Sequence, residues 1–217
     1  MGVRNITKGQ ACLQDLQARK PQGTLSLVEL DVTSDSSISA AVKNLTNDHG
    51  RIDVLINNAG IAYKSNRLNR SEIHNIFNTN VYGPMLLTEA LTPLLKASPA
   101  SKLVNVTSDL GSIALNCDPK APSYPAEFDA YRMSKAALNM LTTCQHKELK
   151  DFGCKVWCYC PGFVITNLTG EEDLQWRKDL GAGSSETSAQ GILEIVEGKR
   201  DSEVGGYITR YGKSYPW

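Results

Sequence analysis

Short apolar runs alternate along this chain with longer stretches in which apolar residues return every three or four positions. Residues 24–30, with Leu25, Leu27, Val28 and Leu30, predict a strand ending at Asp31. Ser34 or Asp35 then caps a helix with Ile38, Ala41, Val42 and Leu45 at helical spacing, which stops at Gly50. Residues 53–57 predict a short buried strand that runs into a glycine turn. A long helical pattern covers 71–96, with Ile73, Ile76, Phe77, Val81 and Leu87 on its apolar side and Pro84 as a kink. Residues 102–107 predict a third strand, 129–151 a helix, and 155–160 a strand closed by Pro161 and Gly162. A last helix spans 186–197 and a final strand 206–209. Strands that alternate with helices of this length predict an α/β fold, a doubly wound parallel sheet covered on both faces.

A chain of 217 residues fits one such domain, 1–217, large enough to need no disulfide or structural metal. Lys and Arg number 23, as do Asp and Glu, so no electrostatic footprint for nucleic acid or an anionic membrane stands out. No run approaches the ~18 apolar residues of a transmembrane helix. The opening residues lack the apolar core of a secretory signal, and the expected location is the cytoplasm. Three of the six cysteines, Cys154, Cys158 and Cys160, fall on one predicted strand. No CxxC pair or nearby His completes a zinc site, so they are expected as small core residues and no metal is assigned.

The chemistry centres on Tyr131 and Lys135, four apart on a predicted helix and therefore side by side on one face. A phenol of pKa ~10 is a poor acid at neutral pH. An adjacent ammonium favours the phenolate and brings the group toward proton transfer. Alone, the pair is as readily a solvated helix face. Its context is what matters. Ser108 follows the third strand, Asn57, Asn58, Ala59 and Gly60 end another, and Pro161 and Gly162 close a further one. Open α/β sheets bind ligands at the carboxyl ends of their strands.

In order, Asp31-Val32, Asn57-Asn58-Ala59-Gly60, Asn80, Ser108, Tyr131, Lys135 and Pro161-Gly162-x-x-x-Thr166 resemble the short-chain dehydrogenase/reductase family, its carbonyl reductases in particular, over nearly the whole chain. The resemblance implies a Rossmann-like fold and reduction of a ketone or aldehyde with NADPH. It implies that Tyr131 gives its proton to the substrate carbonyl oxygen, that Lys135 lowers the pKa of Tyr131 and holds the nicotinamide ribose, that Ser108 bonds the carbonyl oxygen, and that Asn80 holds a relay water. For the cofactor, Asp31 would contact the adenine amino group, and Val32 would pack on the ring. Asn57, Ala59 and Gly60 would line the adenosine ribose and stabilise the central sheet. Pro161, Gly162 and Thr166 would border the nicotinamide. Gly2-Val3-Arg4-Asn5 looks like the basic strand ending of NADP-dependent members. Arg4, with Lys8, would pair a ribose phosphate through charge-assisted hydrogen bonds.

Two departures stand beside the resemblance. Ser108 and Tyr131 are 23 apart, more than in most members, and residues 116–125 between them form a Pro-rich loop. That loop either shapes the substrate mouth or obstructs helix pairing between subunits, and the oligomeric state stays open. Nor does any strand, Gly-rich turn and helix for a pyrophosphate occur. The expectation is an N-terminally truncated domain lacking its first βα unit, which leaves two unpaired sheet edges. Its alternative function is a noncatalytic family member or binding module without cofactor. Trp176, within 165–185, either covers a substrate or is a half-buried surface residue.

Overall fold

The computed structural model describes residues 1–64 and 67–217. In chain order they form β1 (Gly2–Val3), α1 (Ile6–Ala18), β2 (Val28–Glu29), α2 (Asp35–His49) and β3 (Val54–Asn57). There follow α3 (Arg70–Phe77), a π-helical turn (Asn78–Tyr82), α4 (Gly83–Lys96), β4 (Lys102–Val106), α5 (Ile113–Asn116) and α6 (Asp129–Leu149). β5 (Lys155–Cys160), α7 (Leu174–Asp179), α8 (Ser185–Val196) and β6 (Tyr207–Thr209) complete the domain.

Local chemistry accounts for most boundaries. The Ser34 side chain caps α2 by accepting from the Ser37 amide, and Gly50 ends that helix with φ +68°. Asn69 and Glu72 form a reciprocal capping box that starts α3. The expected kink in the 71–96 helix takes the form of the π-helical turn, with Pro84 in the first turn of α4 after it. Proline is tolerated there because its missing N–H falls among the amides that a helix start leaves unpaired.

All strands run parallel. β3, β4, β5 and β6 make one sheet in that order, and β1 pairs only with β2, Gly2 against Val28 and Val3 against Glu29. The strand expected over 24–30 shrinks to Val28–Glu29 because two residues of β1 are all it has to pair with. Leu55, Leu103 and Val156 face Leu91 of α4 and Leu149 of α6. Val104, Trp157, Tyr159 and Ile208 face Ile195 of α8 on the other side. Alternate residues thus enter opposite layers, as the pleat requires. β1 and β3 do not pair; residues of both line one cleft, and Ile56 of β3 is 40% exposed there. The two unpaired edges are therefore present. No helix among the described residues is long and apolar enough to cross a membrane.

Candidate active site

The carboxyl ends of β3, β4 and β5 open on one cleft of about 1110 Å³. Its lining includes Arg4, Asp31, Val32, Asn57, Ala59, Gly60, Ser108, Tyr131, Lys135, Pro161, Gly162 and Thr166. Residues as far apart in sequence as Arg4 and Thr166 are thus brought to one cleft at the strand ends, the usual ligand position of an open parallel sheet.

Tyr131 and Lys135 sit on α6, both nearly buried, with the Lys135 Nζ 5.6 Å from the centre of the phenol ring. Lys135 Nζ donates to the Val106 carbonyl at 2.9 Å, tying α6 to the end of β4. Gly111 makes this close approach possible, because a Cβ there would lie 2.8 Å from the Lys135 backbone carbon. Asn139 adds a second tie, accepting from the Thr107 hydroxyl at 2.6 Å and donating to the Gly111 carbonyl at 3.1 Å. Together these contacts hold Ser108 against Tyr131. The Ser108 hydroxyl donates to Asp109 Oδ1 at 3.0 Å and accepts from the Leu110 amide at 3.2 Å.

Burial pushes the Tyr131 phenol well above its usual range, and nearby Cys160 adds to the rise. The Ser108 hydroxyl and the Arg177 charge oppose it. Burial also pushes the Lys135 ammonium down to about 8. The expected lowering of the phenol by its lysine neighbour is therefore not what this structure displays. Lys135 spends its contact on Val106, and removal from water outweighs the charges that remain.

Asn80 is fully buried in the π-helical turn. Its Oδ1 accepts from the Ile61 amide at 2.9 Å, and its Nδ2 donates to the Ile61 carbonyl and Ser134 Oγ, each at 3.0 Å. The side chain clasps the turn at 58–61 rather than facing the cleft. Asn57 points inward as well. Its Nδ2 donates to Thr88 Oγ1 at 3.0 Å and Asn105 Oδ1 at 2.8 Å. Val32 belongs to the core with Ile38 and Leu87 while also lining the cleft. At the outer end, Asp31 Oδ1 accepts from the Thr33 amide at 2.9 Å, which with the Thr33 hydroxyl holds its carboxyl below the usual range. Arg4, exposed on the lip, adds a further lowering. Lys8, expected beside Arg4, lies 3.8 Å from Glu171.

Several contributors have no sequence signal. The Tyr207 hydroxyl donates to the Ser108 carbonyl, and Tyr215 and Trp217 pack on the Tyr207 ring. The C-terminal segment thereby braces the serine. Cys160 Sγ accepts from the Asp109 amide at 3.2 Å and the Gly162 amide at 3.4 Å, linking the turns after β4 and β5. The Pro-rich loop is gathered by Arg132, which donates to the carbonyls of Ser123 and Ala126. Trp176 lies edge-on to Phe163, with ring centres 6.2 Å apart, beneath Lys64. Cys154, Cys158 and Cys160 are buried and unpaired, as expected, and no metal-holding cluster occurs among the described residues.

The buried titratable groups set an alkaline limit. Burial raises the Cys158 and Cys160 thiols from 9.0 to about 12. Unfolded chains release these protons first, so stability falls above pH 9. Lys135 acts oppositely, since its unfolded form keeps its proton to 10.5 and its folded form loses it near 8. Urea unfolding across this range should show stability rising slightly toward pH 9 and then falling by about 1.4 kcal/mol per pH unit for each excess buried acid. Cys158→Ala with Cys160→Ala should soften the fall, and Lys135→Met should remove the rise.

A family model for short chain dehydrogenases matches residues 2–176. The chain is 30% identical to the short-chain dehydrogenase/reductase tropE of Talaromyces stipitatus, over 97% of this chain and 84% of that one. It is 40% identical to a short-chain dehydrogenase/reductase of Aspergillus fumigatus, over 92% of this chain and 78% of the relative. Among solved structures, the NADPH-bound carbonyl reductase from chicken fatty liver superposes with a TM-score of 0.80 at 28% identity, covering 95% of this chain and 82% of that one. The carbonyl reductase Sniffer of D. melanogaster also gives 0.80, at 26% identity, covering 100% and 86%. With the parallel sheet, the strand-end cleft and the paired Tyr131 and Lys135, these likenesses place the chain in the short-chain dehydrogenase/reductase family of oxidoreductases.

Proposed function

We propose that the chain reduces a ketone or aldehyde to its alcohol with NADPH. The observation that carries this reading is the meeting of Tyr131, Lys135 and Ser108 in a single cleft whose far lip holds Arg4 and Asp31. That cleft is large enough for a dinucleotide beside a small substrate, and its lining offers groups for the nicotinamide and adenosine ends, but among the described residues no Gly-rich turn lines it to hold the pyrophosphate. The NADPH-bound state of the chicken carbonyl reductase supports the cofactor class.

When bound, the reduced nicotinamide would supply a hydride to the carbonyl carbon. Tyr131 gives its phenolic proton to the carbonyl oxygen; burial keeps the phenol protonated, and the transfer needs the opposing positive charge of Lys135 to make that proton easier to release. Ser108 turns its hydroxyl from Asp109 to the same oxygen and so orients the substrate. Lys135 keeps one N–H on Val106 and has further donors for ribose hydroxyls. Its positive charge favours the tyrosinate left after proton transfer. Asn80 positions the 58–61 turn along the cofactor cleft. Asp31 and Val32 take the adenine, Asn57, Ala59 and Gly60 border its ribose, and Pro161, Gly162 and Thr166 border the nicotinamide.

Arg4 selects the phosphorylated cofactor. Arg4→Asp removes the cation and adds a like charge, so NADPH binding should weaken by roughly tenfold while NADH binding changes little. Fluorescence titration of both cofactors reads this. An unchanged ratio of the two affinities would make Arg4 a surface residue. Turnover itself is tested by following NADPH consumption with a panel of ketones and aldehydes. A protein that binds no nicotinamide cofactor and reduces none of them is a binding module instead.

A further inference from the structure

Arg177 of α7 is 5% exposed, an uncommon setting for a guanidinium. Its Nη1 donates to the Val164 carbonyl at 3.1 Å and its Nη2 to Thr169 Oγ1 at 3.3 Å. Those bonds use two of the five N–H donors of a guanidinium. Nε is buried and has no hydrogen-bond partner among the described residues. No ion pair of Arg177 occurs among them either. Asp173, on the neighbouring turn, is instead bound by Lys64 at 2.7 Å. The rings of Phe163 and Trp176, 5.5 and 6.0 Å from the guanidinium carbon, offset part of the charge.

A latch for the loop at 161–170 explains the two Nη contacts. It does not explain why a charge is removed from water with no anion in direct contact, since buried charges are ordinarily paired and Asp173 acts on Arg177 only from a distance while bound to Lys64. The location supplies the answer. Arg177 lines the same cleft as Tyr131 and Ser108, alongside the apolar Phe163, Val164 and Leu168. We propose that Arg177 is the counter-ion for a carboxylate on the substrate, so that the carbonyl compound reduced is an oxo acid. The planar guanidinium suits a carboxylate, and the apolar neighbours suit a short aliphatic stretch between acid and carbonyl. This inference rests on the reductase reading and narrows its substrate class.

The test compares unbranched oxo acids, with the carbonyl at each position from the second to the fifth carbon, with their methyl esters. NADPH-dependent kcat/KM is measured for each. In the parent, at least one acid should exceed its ester by about tenfold or more, the scale of one charge-assisted contact. Arg177→Gln should bring that ratio near one, and Arg177→Lys should leave it intermediate. Because a ratio is read, any general effect of the variant on Tyr131 or on the loop cancels. Quenching of tryptophan fluorescence, with Trp176 beside the site, gives a second readout that needs no turnover. Acids should saturate it and esters should not. Equal acid and ester values in both readouts overturn the proposal, as does a preference that survives Arg177→Gln. A loss of NADPH affinity in Arg177→Gln with the acid preference intact assigns the guanidinium to the cofactor phosphates and also overturns it. If the parent reduces no carbonyl compound at all, the reductase reading fails, and the fluorescence arm alone decides whether the cleft takes a carboxylate.

Discussion

Tyr131→Phe should lower carbonyl reduction by roughly 10²–10⁴-fold, the usual worth of a positioned proton donor. NADPH affinity should stay nearly unchanged, because the phenyl ring keeps its place on α6 against Phe128 and the end of β4. Removing the hydroxyl leaves no buried charge behind, so the fold should be intact. Turnover by NADPH consumption and affinity by fluorescence titration separate the two effects. Comparable turnover in the Phe variant and the parent would sink the assignment of Tyr131 as the acid.

The second large effect belongs to a residue that touches no substrate. Asn105 is fully buried on β4, where its Nδ2 donates to Thr142 Oγ1 at 2.9 Å and Gln145 Oε1 at 2.7 Å. Its Oδ1 accepts from Asn57, which also reaches Thr88. The network joins β3, β4, α4 and α6 behind the cleft. Asn105→Ala would strand these partners away from water, at about 1–3 kcal/mol each. The expected total is about 3–5 kcal/mol, read by urea unfolding, with a melting temperature lower by roughly 10 °C. Asn116→Ala, at an exposed asparagine, serves as the control and should change stability by under about 0.5 kcal/mol. A similar small loss in Asn105→Ala would mean that water replaces the missing amide.

The site was legible where chemistry and helix periodicity coincide. Tyr131 and Lys135 stand four apart on a helix, Asn57 ends one apolar strand and Ser108 follows another, so their convergence followed from a parallel sheet. The polar network was not legible. Asn105 alternates with apolar neighbours in β4, a pattern that places a polar residue toward solvent, yet both faces of this strand are covered. Arg177 left no trace because a single arginine on a six-residue helix carries no period. α1, with only Gly9 and Leu13 buried, lacked the apolar stripe that would announce it. The break in the 71–96 helix was visible through Pro84, but its π form depends on how Asn80 clasps Ile61, a contact nineteen residues away in sequence.

The thin attachment of β1 has a consequence for how ligands are held. Its backbone meets β2 through Met1 and Val3 carbonyls, and α1 adds little buried surface. Segments with so few apolar contacts open locally at a free energy far below that of global unfolding. Arg4 rides on this segment, whereas Tyr131 and Lys135 are fixed to the deepest part of the sheet. A ligand that reaches both ends must therefore supply the ordering of the first, and its apparent affinity is scaled by the fraction of molecules in which that segment is already docked. Rigidity is thus distributed unevenly along the cleft. The end that would do chemistry is held by the core, and the end that would choose the cofactor would be held in part by the cofactor itself.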